Sequence, residues 1–203
     1  MDPLPLHSRT PPEWGKAVLA NPVALLADHA FLEMKAAHNA MELLTRWPGE
    51  WLPGWVETMT SVARDEAAHL AQAMRLLVRR GGRIGRGHSN PYAKELRALV
   101  RSGGGSETID RLFVSALIEL RSCERFSVLA QAASDLEDTE LAGFYRALFS
   151  SEMGHYKVFL KLASRMDDEP VVYGRWQEML AYEARIIAGQ RPGFRIHSGL
   201  PSA

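Results

Sequence analysis

One arrangement of glutamate and histidine occurs twice in the chain, and it restricts the possible folds more than any other feature. In each copy a Glu stands 33 residues before a Glu-x-x-His motif, and the second copy lies 86 residues after the first. Residues three apart share a face of an α-helix, so each motif can direct a carboxylate and an imidazole at one ion. The two copies are Glu33, Glu66 and His69, and then Glu119, Glu152 and His155.

Coincidence explains this repetition poorly. With 16 Glu and 7 His in 203 residues, about 0.5 matches to Glu-x-x-His are expected, so a single match is a weak signal. A Glu at the matching upstream position in both halves lowers the expectation to about one in a thousand. The residues around Glu33 and Glu119 also follow one order of apolar, acidic, apolar, basic and small side chains, which indicates an internal duplication.

Apolar residues recur at helical spacing along most of the chain, and no stretch alternates with a period of two. Residues 1–21 contain four prolines and no sustained period, which predicts an extended arm, whereas residues 189–203 are predicted to be an irregular tail. Asn21-Pro22 and Ser106 are predicted helix starts. The predicted helices cover residues 23–47, 50–80 (or a start after Pro53), about 91–100, 106–134, 137–166 and 170–188.

The predicted fold is an all-α, ferritin-like four-helix bundle with a crossover segment and a fifth C-terminal helix, in a single domain over residues 1–203. Two long helical hairpins joined by a long crossover have the connectivity of this fold. In an antiparallel hairpin, residues equally far from the turn face each other, because both helices rise about 1.5 Å per residue. The midpoints of the two Glu–Glu pairs fall beside the Pro48-Gly49 stop and at the Asp135-Leu136 break.

Four carboxylates and two imidazoles are therefore predicted to meet in a carboxylate-bridged site for two metal ions. Oxygen and nitrogen ligands in this ratio suit iron or manganese, whereas zinc usually takes four ligands with more His or Cys. Asp65 is placed to accept the second ring N–H of a ligand His, while Ser151 stands at the matching position of the second half. Glu124 is an alternative third carboxylate, but the symmetric spacing favours Glu119.

Other polar residues receive no role in this site. His29, His38 and His88 have no partner at matching spacing, and Cys123 is interpreted as core packing. A single cysteine excludes an internal disulfide and a Cys-based zinc site. The chain has no long uncharged apolar run and no basic, apolar leader, so we expect a cytoplasmic protein that does not bind a membrane.

A local excess of positive charge interrupts a chain whose net charge is zero. Residues 79–101 contain seven basic side chains and one acidic side chain. Such a stretch is typical of a phosphate-binding surface, although a loop kept soluble by its charge is an equal alternative. The candidate phosphate-contacting residues are Arg79, Arg80, Arg83 and Arg86.

The sequence resembles the family of tRNA hydroxylases that act on 2-methylthio-N6-isopentenyladenosine, a modified base next to the anticodon. The resemblance covers nearly the whole chain and includes the six residues of the duplicated pattern. It also rests on Leu26-Ala27-Asp28-His29-Ala30, Ala67-Ala68-His69, Asn90-Pro91-Tyr92-Ala93 and Phe194-Arg195-Ile196-His197-Ser198-Gly199-Leu200-Pro201.

The resemblance implies a non-haem diiron monooxygenase that hydroxylates the isopentenyl group of tRNA. Such an enzyme uses two iron ions, O₂, and two electrons from an external donor, so tRNA and a redox partner are the implied partners. A ferritin-like iron-storage or peroxide-scavenging protein is the alternative with the same six ligands. A non-catalytic RNA-binding module would explain the basic stretch but would leave the ligands without a role.

Overall fold

The computed structural model describes residues 4–47 and 52–201. Regular structure within these residues is helical, apart from an isolated β-bridge between Pro192 and Gly199. The helices there are α1 (Pro12–Leu19), α2 (Pro22–Leu44), α3 (Trp55–Arg79), α4 (Pro91–Arg97), α5 (Gly104–Asp135), α6 (Thr139–Ala163) and α7 (Glu169–Ala188). The all-α class predicted from the sequence is thus confirmed.

The described chain divides into two compact units. The α2–α3 unit contains residues 21–47, 52–89 and 194–196, and the α5–α6 unit contains residues 4–20, 90–193 and 197–201. Each unit is built around one antiparallel helical hairpin, as the sequence predicts. The prediction of a single domain over residues 1–203 stays a prediction.

The α2–α3 unit begins at the predicted helix start. The Asn21 side chain accepts a hydrogen bond from Ala24 N at 3.0 Å, and Pro22 occupies the first helical position. Helix α3 starts at Trp55, directly after Gly54, which adopts a left-handed conformation (φ 84°). The later of the two predicted starts, after Pro53, is thus confirmed. The predicted stop at Pro48-Gly49 lies outside the described residues.

The two helices of this unit are fixed to each other at both ends. Trp55 Nε1 donates to Leu43 O at 3.1 Å, which ties the start of α3 to the end of α2. At the other end, Gly82 lies so close to Val23 and Leu77 that a Cβ atom would overlap both side chains. Only glycine fits there, so the chain that leaves α3 starts from a fixed position against α2.

The α5–α6 unit turns at the predicted break. Helix α5 ends at Asp135, Glu137 takes a positive φ of 60°, and the Asp138 side chain caps α6 by accepting from Leu141 N at 3.1 Å. The predicted cap at Ser106 is wrong. Helix α5 starts two residues earlier, at Gly104, and the Ser106 hydroxyl donates to the carbonyl of Gly103.

The prediction of an extended arm over residues 1–21 is also partly wrong, because residues 12–19 form helix α1. Proline 12 stands at the first helical position, where no backbone N–H is needed. Gly15 allows α1 to approach α5 closely, since a Cβ there would lie 2.9 Å from Ala132 Cβ and 3.0 Å from Val128 Cγ1. The buried residues of α1 are Trp14, Gly15, Val18 and Leu19.

A buried polar network joins α4, α5 and α7 within the α5–α6 unit. Arg121 donates to both carboxylate oxygens of Glu183, at 2.7 and 2.9 Å, and to Glu124 at 3.1 Å. Tyr92 donates to Glu183 at 2.9 Å. Burial raises the pKa of Tyr92 well above its usual value, and the charge of Glu183 adds to this, so the phenol keeps its proton.

Helices α1 to α7 include no single helix that is long and apolar enough to cross a membrane. Only α1 and α2 taken together meet the criteria of length and composition.

Candidate metal centre

The first copy of the duplicated pattern forms a buried triad inside the α2–α3 unit. Helix α2 supplies Glu33, and α3 supplies Glu66 and His69 from one face. His69 Nδ1 lies 3.7 Å from Glu33 Oε2 and 3.5 Å from Glu66 Oε2. One ligand atom from each residue lies within 4.8 Å of the others. The structure therefore brings together the three residues that the sequence predicts for this half.

The second copy forms the same kind of triad inside the α5–α6 unit. Helix α5 supplies Glu119, and α6 supplies Glu152 and His155. His155 Nδ1 lies 2.8 Å from Glu152 Oε2, and one ligand atom from each of the three residues lies within 4.8 Å of the others. All three side chains are buried.

Each triad suits a divalent metal ion with a preference for oxygen and nitrogen ligands. Two carboxylates and one imidazole on neighbouring helices match the donor set of ferritin-like iron and manganese proteins. Burial of two carboxylates so close together is costly unless positive charge compensates them. A bound cation supplies that charge, so the chemistry of the donor set fits a metal site.

The alternative ligand Glu124 has a different role. Its carboxylate accepts hydrogen bonds from Thr10 N at 2.6 Å, from Thr10 Oγ1 at 2.5 Å and from Arg121. These contacts attach the segment that precedes α1 to helix α5. They also support the choice of Glu119, which the symmetric spacing favours.

Cys123 is buried one helical turn after Glu119. Burial raises the pKa of its thiol, and the negative charges of Glu152 and Glu119 raise it further. The Sγ atom lies 3.7 Å from the carbonyl oxygen of Phe149. The burial of the side chain and its contact with the backbone of α6 support the interpretation of Cys123 as core packing.

His29 contacts a triad residue, which the sequence analysis missed. Its Nε2 lies 2.5 Å from Glu33 Oε1, and the ring is completely buried. The signal was available in the sequence, because Glu33 follows His29 by four residues, the distance of one helical turn.

Asp65 precedes the triad residue Glu66, and its role as an orienting acceptor stays a prediction. Its side chain is partly exposed, and Oδ1 accepts from Arg64 Nη2 at 3.1 Å. Ser151, at the matching position in α6, is also partly exposed.

The four arginines predicted to contact RNA lie in residues 79–88, which we call the basic segment. Arg79, Arg83 and Arg86 are exposed, whereas Arg80 is half-buried at the end of α3. The segment is fixed at its far end by His88, for which the sequence analysis found no partner.

Three side chains of α2 hold the His88 ring in place. His88 Nε2 lies 2.7 Å from Asp28 Oδ1, and Lys35 Nζ lies 2.8 Å from His88 Nδ1. An ammonium group only donates, so Nδ1 accepts and Nε2–H donates to Asp28. The ring also stacks on Phe31, with 4.8 Å between the ring centroids. Asp28 Oδ2 accepts in addition from the backbone N–H of Ile196 at 2.9 Å.

Helical hairpins that carry a Glu and a Glu-x-x-His pair define the class of ferritin-like metal-binding proteins. The solved structure of protein 43 with aldehyde deformylating oxygenase activity from Synechococcus is similar to this chain, with a TM-score of 0.87, 28% sequence identity and coverage of 98% of each chain. The sequence model of the family tRNA-(MS[2]IO[6]A)-hydroxylase (MiaE) matches residues 4–198. The chain belongs to this family of enzymes.

Two relatives carry the same name, tRNA 2-(methylsulfanyl)-N(6)-isopentenyladenosine(37) hydroxylase. The protein from Pseudomonas putida is 37% identical over 194 residues, which cover 96% of this chain and 92% of the relative. The protein from Salmonella typhimurium is 28% identical over 247 residues, with coverage of 98% and 89%. The resemblance stated from the sequence is confirmed, and it favours a tRNA hydroxylase over iron storage, peroxide scavenging or RNA binding alone.

Proposed function

We propose that this chain hydroxylates the isopentenyl group of 2-methylthio-N6-isopentenyladenosine in tRNA, next to the anticodon. The observation that carries the proposal is the family match over residues 4–198. That range includes both buried triads and the basic segment. The names of the two relatives, which share most of their length with this chain, support the same substrate.

The proposed cofactor is a pair of iron ions per chain. Four carboxylates offset the four positive charges of two divalent ions, so the triads together can hold them without excess charge. Two ferrous ions held by these residues would bind O₂ and pass on the two electrons of an external reductant, which is the chemistry that hydroxylation of a C–H bond requires. The proposed ligands are Glu33, Glu66, His69, Glu119, Glu152 and His155.

The chain's own residues position and shield this chemistry. The buried carboxylates keep the ions away from bulk water, and the imidazoles complete each set with a neutral nitrogen donor. Per turnover, O₂, two electrons and two protons convert the C–H bond into a C–OH group and release one water. The electrons come from an external reductant, so we propose a redox partner, and we place the reaction in the cytoplasm with the tRNA.

The basic segment is the proposed contact to the tRNA backbone. Arg79, Arg83 and Arg86 are exposed, and the planar guanidinium group binds phosphate through two parallel hydrogen bonds. Gly82 and His88 support this role, because they hold the segment at both ends against α2 and α3. Arg80 belongs to the same proposal, with part of its side chain buried.

Asp65 is proposed to orient His69 by accepting its second ring N–H. In Asp65→Asn the charge that strengthens the imidazole as a ligand is lost, while size and polarity are kept. Such losses commonly lower metal affinity or activity by about 10 to 100-fold. Iron affinity and turnover equal to the parent protein at limiting iron would show that Asp65 is only a helix-surface residue.

Nucleoside mass analysis of tRNA tests the proposed function. Cells that lack this protein should accumulate the unhydroxylated nucleoside, and expression of the parent chain should restore the form heavier by one oxygen atom. Glu66→Ala should fail to restore it, whereas Glu57→Ala, at an exposed position of the same helix, should succeed. Identical nucleosides with and without the parent protein would refute the proposal.

A further inference from the structure

His29 and Glu33 form a close side-chain contact beside the first triad. Both residues lie on α2, one helical turn apart, and both are buried. His29 Nε2 approaches Glu33 Oε1 to 2.5 Å, whereas the other oxygen, Oε2, is the one nearer to His69 Nδ1, at 3.7 Å. The two oxygens of Glu33 therefore face different partners.

The chemistry of a metal ligand fixes the direction of this hydrogen bond. A carboxylate that binds a metal ion is deprotonated, so it can only accept. The proton between the two atoms therefore belongs to His29 Nε2. We propose that His29 is a positioning residue that holds Glu33 Oε1 by donating to it and leaves Oε2 as the oxygen that binds the metal. This inference rests on the proposed role of Glu33 as a ligand.

The second half of the duplicated sequence has no histidine at the matching position. The residue 86 positions after His29 is Ser115, whose hydroxyl donates to the carbonyl of Arg111 in its own helix at 3.0 Å. The ligand sets are repeated, but their surroundings are not. As a result, Glu33 is restricted to binding through one oxygen, and no imidazole at the matching position restricts Glu119 in that way. The two metal positions are thus expected to be inequivalent.

Variants of His29 test the proposal. His29→Phe keeps an aromatic ring without a donor, His29→Leu removes the donor in a smaller side chain, and His29→Gln retains an N–H donor. The matched control is Ser115→Ala in the other half of the repeat. The protein is loaded with ferrous ⁵⁷Fe without oxygen, and two quantities are measured: iron affinity by chelator competition and the Mössbauer spectrum of the bound ions.

The parent protein should bind two ions with two distinct Mössbauer signals. His29→Phe and His29→Leu should lower the binding affinity for one of the two ions by about 10 to 100-fold and change one Mössbauer signal. His29→Gln should keep most of the parent's affinity. Ser115→Ala should match the parent. If one of the two variants without a donor does not fold, the other variant still tests the positioning role.

A packing role alone would make a different prediction. Lower thermal stability with both iron affinities and both signals unchanged in the donor-less variants would overturn the positioning role while leaving the diiron proposal intact. A parent protein that binds no iron would instead refute the proposed function itself, and with it the role of His29.

Discussion

Asp110 is completely buried in α5, yet three N–H groups of Arg101 and two of Arg175 hold its charge in place. The Arg101 side chain and the Arg175 side chain donate to its carboxylate at 2.9 to 3.0 Å, and Arg101 N donates at 2.9 Å. Burial alone would raise the pKa of Asp110, but the hydrogen bonds from Arg175 and Arg101 outweigh it and lower the pKa. The folded state therefore favours the ionised carboxylate.

This shift predicts a pH-dependent contribution to stability. Because the folded pKa lies below the unfolded value of about 3.9, the contribution is complete above that value and is lost as the pH falls through the folded pKa. Asp110→Asn should lower the free energy of unfolding by roughly 3 kcal/mol at neutral pH. The difference from the parent should shrink in acid.

Urea unfolding at neutral pH and at the lowest pH at which the parent protein stays folded measures this difference. The control is Asp135→Asn, which changes an exposed carboxylate of the same helix and should have little effect at either pH. An equal loss of stability by Asp110→Asn at both pH values would contradict the account.

The two triads could be predicted from the sequence because their residues follow one rule of helix geometry and the pattern occurs twice. Their neighbours could not be predicted in the same way. Glu124 and Glu119 are the same residue type on the same helix and differ only in the residues that they contact. One contact of Glu124 is Thr10, which lies more than a hundred residues away in sequence. His29 was within reach, since its partner lies on the same helix.

At the level of elements, the basic segment combines exposed charge with fixed ends. If it contacts phosphates, Arg83→Glu with Arg86→Glu should weaken tRNA binding and flatten its dependence on salt, by about one unit of slope for each lost contact. The matched control is Lys161→Glu with Arg165→Glu, which reverses two exposed charges near the end of α6. Equal effects of both pairs in a filter-binding or anisotropy titration would argue against a specific contact.

Anchoring of the segment predicts a separate effect. His88→Ala removes the ring contacts to Asp28, Lys35 and Phe31, keeps the hydrogen bond from Lys35 Nζ to the backbone carbonyl of residue 88, and changes none of the arginines. The loosened segment must be ordered on binding, which costs free energy, so tRNA affinity should fall several-fold while the salt slope stays that of the parent. An unchanged affinity would show that the anchor does not matter, and a flatter slope would show that His88 itself replaces a phosphate contact.

Helix ends and short helices were harder to predict than long helices. Helix α1 has only eight residues, too few for periodicity to stand out beside four prolines, and its stability comes from contact with α5 rather than from its own sequence. Ser106 is a good cap by residue type. The glycines at 103 and 104, both with positive φ, allow α5 to begin earlier.

At the level of the whole molecule, the duplicated hairpin is the feature that the sequence predicts best. An offset of 86 residues relates the triad of α2 and α3 to the triad of α5 and α6, whereas family membership rests on the match over residues 4–198. The two hairpin units follow from this duplication, but the part that the tail plays in one of them was not predictable, because it depends on a contact between residues far apart in sequence. Residues 194–196 join the α2–α3 unit, where Ile196 N donates to Asp28.

Both triads are proposed to hold iron, and hydroxylation is proposed to depend on both. The most direct measurement determines iron per chain and product formation in the same samples of purified protein with tRNA, ¹⁸O₂ and a reductant. The parent should hold two iron ions and transfer one ¹⁸O atom to the nucleoside, whereas Glu66→Ala and Glu152→Ala should each lose iron and product. Full iron content and full ¹⁸O transfer in either variant would contradict the account.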